Sequence, residues 1–181
     1  MALEHLDKKV LERVKLHFWG DKKIEERISI RADLRDRIQT HAFRPHQEFI
    51  AEFVAQIGAA FLSLHGDYYS YALPSKIFEY INLEKPVLAS GPEGGLKRFV
   101  EENAIGYFSH YKSASELASN ITRLVKHKGR LSEFGKNVQR IKPNFSTELQ
   151  TRKLSELLEK RFFTKDEICA ESSASLTTQV V

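Results

Sequence analysis

Cysteine is almost absent from the 181 residues, because Cys169 is the single one. A lone cysteine cannot form a disulfide within the chain, and no charged, then apolar, then small-residue leader opens the sequence. No apolar run approaches the roughly 18 residues that a membrane span requires. These absences argue against a secreted, disulfide-rich domain and favour a reducing cytoplasm. Any membrane contact is expected to be peripheral, at the inner face of the membrane.

Several motifs that carry chemistry are also missing. The seven histidines lack the spacing of a metal motif, and there is no P-loop, serine nucleophile elbow or cysteine nucleophile context. Lys and Arg exceed Asp and Glu by four, and this mild excess is spread along the chain. The sequence therefore predicts no metal site, no cofactor and no nucleic-acid partner, and it weakens the commonest hydrolase and kinase interpretations.

Apolar periodicity shows strands alternating with helices. The predicted strands are 15–20, 38–43, 59–64, 86–89 and 104–109. Helices are predicted over 2–14 and 21–37, and around the apolar stripes 49–57, 77–81, 96–100, 117–125, 131–141 and 149–162. This alternation indicates an α/β fold: a doubly wound, Rossmann-like parallel sheet of about five strands with helices on both faces. We expect one domain over 1–163 and a flexible tail over 164–181, where small polar residues predominate.

The most informative stretch is 73–90. Pro74 can occupy the first turn of a helix, and the spacing places Lys76 and Glu79 one turn apart on its polar side. The strand that follows is expected to stop at the turn-rich segment 90–95. A carboxylate and glycine-rich backbone would then face the carboxyl end of a sheet, where such folds bind phosphate and ribose. This combination favours a nucleotide-linked ligand.

The segments PSKIFEYI and EKPVLAS, followed by a Gly-Gly loop, resemble the donor-binding half of GT-B glycosyltransferases. The similarity is to the large retaining family typified by sucrose and glycogen synthase relatives (glycosyl transferases group 1), and it covers about 15–162. It implies metal-independent transfer of a sugar from a nucleotide-diphosphate sugar to an acceptor. In that family the acceptor and often the catalytic groups belong to an N-terminal domain that these residues lack, so the chain alone is expected to be inactive.

The resemblance also implies which residues contact the donor. Glu79 matches the second of the family's two glutamates and would bind ribose hydroxyls. The first would fall at Tyr71, so neighbouring residues are expected to take over its role. Nucleobase contacts fall near Phe43 and Arg44. The complete set of predicted donor-binding residues is Phe43, Arg44, Tyr71, Pro74, Ser75, Lys76, Glu79, Gly94 and Gly95. No catalytic residue is assigned.

In the family a further strand lies in the middle of the sheet, and it would precede Met1. Its absence predicts an unpaired sheet position that needs re-pairing of neighbours, a partner chain, a complementary fragment or homo-oligomerisation.

Other interpretations of these residues and of the chain stay open. Glu79 could be an ordinary solvated charge, and 91–95 an ordinary turn. The chain could be a non-catalytic Rossmann-like module that binds a nucleotide or protein, or a fragment of a GT-B-fold sugar epimerase.

Overall fold

The computed structural model describes residues 2–20, 32–127 and 129–162. The strands are β1 (Leu16–Gly20), β2 (Ile38–Ala42), β3 (Ala60–Ser63), β4 (Val87–Gly91) and β5 (Gly106–His110). The α-helices are α1 (Lys8–Leu11), α2 (His46–Gln56), α3 (Lys76–Asn82), α4 (Gly95–Glu102), α5 (Ala114–Lys126), α6 (Arg130–Ile141) and α7 (Thr147–Phe162). Short 3₁₀ turns cover Ala2–His5, Ala32–Arg37, Asp67–Tyr69 and Lys142–Phe145.

All five strands pair in parallel, which confirms the predicted sheet type and strand number. They form two sheets, however: β1 pairs with β2, and β4 lies between β3 and β5. Within the described residues, no strand joins the edge of β1 to that of β3. Because parallel strands share one direction, the loops that follow β3, β4 and β5 all leave from one edge of the three-stranded sheet.

The core surrounds β4, in which every residue is buried. On one side Leu88 of β4 packs with Val10 of α1 and Ile121 of α5. Ile77 and Ile81 of α3 have no exposed surface, so α3 turns its apolar stripe inward. Burying such side chains stabilises the fold by roughly 1.5–3 kcal/mol each.

The prediction of one continuous N-terminal helix over 2–14 is wrong. The structure has a 3₁₀ turn at Ala2–His5 and a separate short α1. Asp7 separates them, because its backbone is extended and its side chain accepts a hydrogen bond from the Val10 N–H at 2.9 Å. An Asp in that position caps a new helix instead of continuing an old one.

A second helix is predicted over 21–37. Residues 21–31 lie outside the described part of the chain, and Ala32–Arg37 forms a 3₁₀ helix.

Strand β4 runs further than predicted. Ser90 and Gly91 belong to the strand and not to the turn, because Ser90 pairs with Ser63 and Ser109 on its two sides. Ser113 and Glu116 have the spacing of a capping box, but only half of the box forms. The Ser113 hydroxyl accepts from the Glu116 N–H at 3.2 Å, but the Glu116 carboxylate accepts from the backbone N–H of His110 at 2.8 Å. Glu116 thus ties α5 to the end of β5.

Contacts divide the chain at Lys142/Pro143 into two compact units. The second unit contains α7, whose first turn is capped by Ser146: the Ser146 hydroxyl accepts from the Leu149 N–H at 3.2 Å. The expected tail over 164–181 lies outside the described residues, so a domain boundary at 163 stays a prediction. Among the helices that the structure describes, none is both long and apolar enough to cross a bilayer.

Candidate functional site

Helix α3 presents the first part of the candidate site. Its first turn carries Lys76 and Glu79, whose Nζ and Oε2 atoms lie 2.6 Å apart, as the spacing predicted. Both side chains are about half exposed, at 48% and 49%. An ion pair this exposed contributes about 0–1 kcal/mol, so a ligand could replace it at little cost. The pair follows β3 through the loop 64–75 and belongs to the carboxyl side of the sheet.

The glycine pair forms the second part. Gly95 donates its N–H to the Ser70 carbonyl oxygen at 2.7 Å, which ties the loop after β4 to the loop after β3. Gly94 has φ +152°, and a Cβ added there would lie 1.9 Å from the same Ser70 oxygen. Glycine is therefore required at 94 by backbone conformation and by a close approach. Since the Gly95 N–H already has an acceptor, it cannot donate to a phosphate while this contact is made.

Three tyrosines cover the surface beside the glycines. The Tyr68 ring meets those of Tyr69 and Tyr71 edge to face, with centroids 5.6 and 5.9 Å apart. Tyr68 and Tyr71 are 75% and 72% exposed. The hydrogen bond that the Tyr71 hydroxyl shares with Tyr68 raises the pKa of Tyr71. Rigid, amphipathic rings at such exposure are suited to ligand contact.

An ion pair anchors the tyrosine loop to the end of β5. The Asp67 Oδ2 and Lys112 Nζ atoms lie 3.1 Å apart, and the hydrogen bond from Lys112 lowers the pKa of Asp67. Lys112 also lies over the Tyr111 ring, 5.0 Å from its centroid. Loops after β3, β4 and β5 are thus linked to one another at the carboxyl edge. Sequence reasoning missed Asp67–Lys112, since residues 45 positions apart carry no local signal.

The two residues predicted to contact the nucleobase follow β2. Phe43 is 88% exposed. The Arg44 Nε lies 3.1 Å from Glu52 Oε2 on α2, and Glu52 Oε1 lies 3.2 Å from His41 Nδ1. Among the described residues, hydrogen bonds and ion pairs join Lys76 to Glu79, Gly95 to the tyrosine loop, and Arg44 to α2. They do not link these three groups into one cluster.

Sequence reasoning also missed a buried polar network behind the site. The Asn120 amide of α5 donates to the Phe108 carbonyl at 2.7 Å, and the Ser109 hydroxyl donates to the Ala89 carbonyl at 3.1 Å. An Asn beside Ile121 on the buried side of a helix was the signal that could have revealed the first bond. Within the described residues, no group of three or more His, Cys, Asp or Glu could hold a metal ion.

Comparison with known proteins places this geometry in a family. The family model described as "Glycosyl transferases group 1" matches residues 1–141. The chain belongs to this family. No curated protein matches it. The family membership agrees with the resemblance drawn from the stretch around Glu79.

Solved structures of glycosyltransferase-fold proteins are similar to the chain. WaaG, a glycosyltransferase involved in lipopolysaccharide biosynthesis, has a TM-score of 0.63 and 16% identity over 81% of this chain and 38% of WaaG. Anabaena Alr3699/HepE, solved with UDP-glucose and with UDP, has a TM-score of 0.67 and 21% identity, covering 88% of this chain and 43% of HepE. The chain therefore spans less than half the length of these proteins, and its fold matches the Rossmann-like half of a GT-B architecture.

Proposed function

We propose that this chain is the nucleotide-sugar (donor) binding part of a glycosyltransferase of group 1. The observation that carries the proposal is the position of Glu79 and Lys76. They form a half-exposed carboxylate and ammonium pair on the first turn of α3, at the carboxyl side of a parallel sheet. In such folds this is where ligands bind, and a carboxylate there can accept hydrogen bonds from ribose hydroxyls. That HepE was solved with UDP and UDP-glucose supports a nucleotide-diphosphate ligand.

The proposed chemistry is electrostatic. Transfer of the sugar leaves negative charge on the departing diphosphate, and fixed cations that stabilise this charge lower the barrier. We propose that Lys76 and Arg44 supply this positive charge, since both side chains are about half exposed, at 48% each. We propose that side-chain cations and backbone amides meet this need without a metal ion. Tyr68 and Tyr71 would then contact the sugar, because their rings border the glycine turn.

The reaction also needs an acceptor site, and we propose that a second domain or partner chain provides it. The chain covers 38–43% of the length of the similar structures, which supports this division. We accordingly expect no glycosyl transfer by the chain alone, and a purified sample that turns over a nucleotide sugar would contradict this expectation. We also propose a cytoplasmic location with contact at the inner membrane face, and the low cysteine content, a single Cys169, supports a reducing compartment.

A second function, a nucleotide-free interaction module, is favoured by one observation. The Gly95 N–H already donates to the Ser70 carbonyl, so the protein itself closes the turn that would bind phosphate.

Calorimetry with UDP, GDP and ADP distinguishes the donor-binding function from the interaction module. Donor binding predicts one preferred nucleotide and a loss of at least about tenfold in affinity for Glu79→Ala, as expected when about 1.5–3 kcal/mol of charged hydrogen bonding is lost.

The matched control is Glu133→Ala. Glu133 pairs with Arg130 at 2.9 Å with the same spacing along a helix and a similar exposure of 55%, but on α6. It should bind the preferred nucleotide like the unmodified chain. Absence of binding by the folded chain would favour the interaction module, and equal losses for the two variants would remove the specific role of Glu79.

A further inference from the structure

A ladder of three stacked rings lies on one face of the β1–β2 sheet. His41 on β2 packs against the two side chains of β1 that share its face: its ring centroid is 5.2 Å from His17 and 4.6 Å from Trp19, and those two centroids are 5.5 Å apart. The rings are nearly parallel, with interplanar angles of 8° and 11°. The parallel register, which pairs Trp19 with His41, produces this arrangement.

Helix α2 covers the ladder. Phe49 and Phe53, one turn apart, meet the Trp19 ring edge to face at centroid distances of 5.7 and 5.5 Å. Glu52 lies on the same side of α2 and reaches His41. The Trp19 Nε1 atom is buried without a hydrogen-bond partner among the described residues. The ladder is therefore the contact through which β1 and β2 dock onto α2.

A continuous chain of polar contacts runs through this docking surface. His17 Nδ1 lies 3.0 Å from His41 Nε2, and His41 Nδ1 lies 3.2 Å from Glu52 Oε1. The other carboxylate oxygen of Glu52 holds Arg44 Nε at 3.1 Å. Glu52 Oε1 also accepts from Gln56 Nε2 at 3.5 Å. A single contact joins the two rings, so the number of protons on them decides whether that contact has both a donor and an acceptor.

The proton count can be followed atom by atom. With both rings neutral, His17 donates to His41, and His41 donates to Glu52. A first added proton is accommodated, since His41 then donates from both nitrogens, and His17 changes tautomer to accept at Nδ1. A second proton leaves two N–H groups facing each other across 3.0 Å, with no lone pair between them. Two like charges in stacked rings also repel.

We propose that the His17–His41–Glu52 chain is a proton-sensitive latch, which holds β1 and β2 to α2 when it carries at most one added proton and releases them when it carries two. The charged groups that face the histidines are Lys15 on β1, Glu52 on α2 and, through Glu52, Arg44 after β2. Of these, Glu52 favours protonation of His17, whereas Lys15 opposes it. Release would move the β2 end, and Phe43 and Arg44 with it.

The direction of the pH effect follows from His17. Its burial, then the nearby His41 and Lys15, lower its pKa below the usual value. A histidine whose pKa is lower in the folded than in the unfolded state stabilises the fold above about pH 6.5 and withdraws that stability as the pH falls toward its folded value. The latch therefore opens on the acid side. This inference does not depend on nucleotide binding.

Trp19 reports the latch directly, because it is the single tryptophan of the chain. Its fluorescence should be recorded between about pH 8 and about pH 5, the interval in which histidines titrate. We expect two reversible steps: quenching when the latch takes up its first proton, then a shift of the emission to longer wavelength when the second proton exposes the indole. Far-UV circular dichroism should change little, since β1 and β2 are a small part of the fold.

Variants separate the two steps. His17→Gln cannot take the second proton, so it should keep the quenching and lose the wavelength shift, whereas His41→Gln should lose both. His127→Gln, at the exposed end of α5, should behave like the unmodified chain. An unchanged wavelength in the unmodified chain, or the same shift in His17→Gln, would overturn the proposal.

A second measurement serves if a variant fails to fold. In the NMR titration of the unmodified chain, the His17 and His41 ring signals should move together in two coupled steps. Independent single-step titrations of the two rings would overturn the latch.

Discussion

Gly94→Ala tests the contact that joins the glycine turn to the tyrosine loop. At φ +152° an alanine is strained, which costs about 1–3 kcal/mol. Its Cβ would also lie 1.9 Å from the Ser70 oxygen, so the loop must retreat and the hydrogen bond from Gly95 must break. Losing that bond costs a further ~0.5–1.5 kcal/mol. The expected loss in the free energy of unfolding is therefore about 1.5–4.5 kcal/mol.

Urea denaturation followed by circular dichroism measures this loss. Gly135→Ala is the matched control, because Gly135 lies inside α6 and a Cβ there would meet nothing within 4 Å. Alanine at a helix interior is expected to stabilise the chain by roughly 0.5–1 kcal/mol. Two variants of the same chemical change should thus move stability in opposite directions. If Gly94→Ala is as stable as the unmodified chain, the close approach of Ser70 is not a feature of the folded protein.

Three further substitutions test the core and the backbone, each by urea denaturation. Ile81→Ala should lose about 2–5 kcal/mol, because its fully buried side chain leaves a cavity, and a loss below 1 kcal/mol would contradict its placement. Asn120→Ala should lose about 1–3 kcal/mol by leaving the Phe108 carbonyl unpaired, and an unchanged stability would mean that this carbonyl has another donor. Ala104→Gly should gain up to about 1 kcal/mol, because Ala104 has φ +49°, and a loss would indicate that its methyl group packs.

Local patterns were sufficient where an element's own residues decide its structure. The apolar run 59–64 gave β3, and Ser113 marked the start of α5. The spacing of Lys76 and Glu79 predicted their contact, since residues three apart on a helix are neighbours. The parallel topology followed from the order of the elements, because consecutive parallel strands need a crossover between them.

Long-range contacts explain what local patterns missed. Ser90 and Gly91 have turn composition, but pairing on both sides of β4 extends the strand through them. The acceptor of the Gly95 amide is Ser70, in a loop whose path no spacing rule predicts. The stack of His17, Trp19 and His41 depends on the register between β1 and β2, which is set by the whole fold. Asp7 is the exception, because its capping preference was visible in the sequence.

The most direct test of donor binding is a UDP titration of the ¹⁵N-labelled chain followed by backbone amide shifts. The account predicts that the largest changes fall on the carboxyl side of the sheet, at Ser75, Lys76 and Glu79 and at the Gly94–Gly95 turn. Changes confined to the opposite edge, or no change at millimolar UDP in a folded sample, would contradict it.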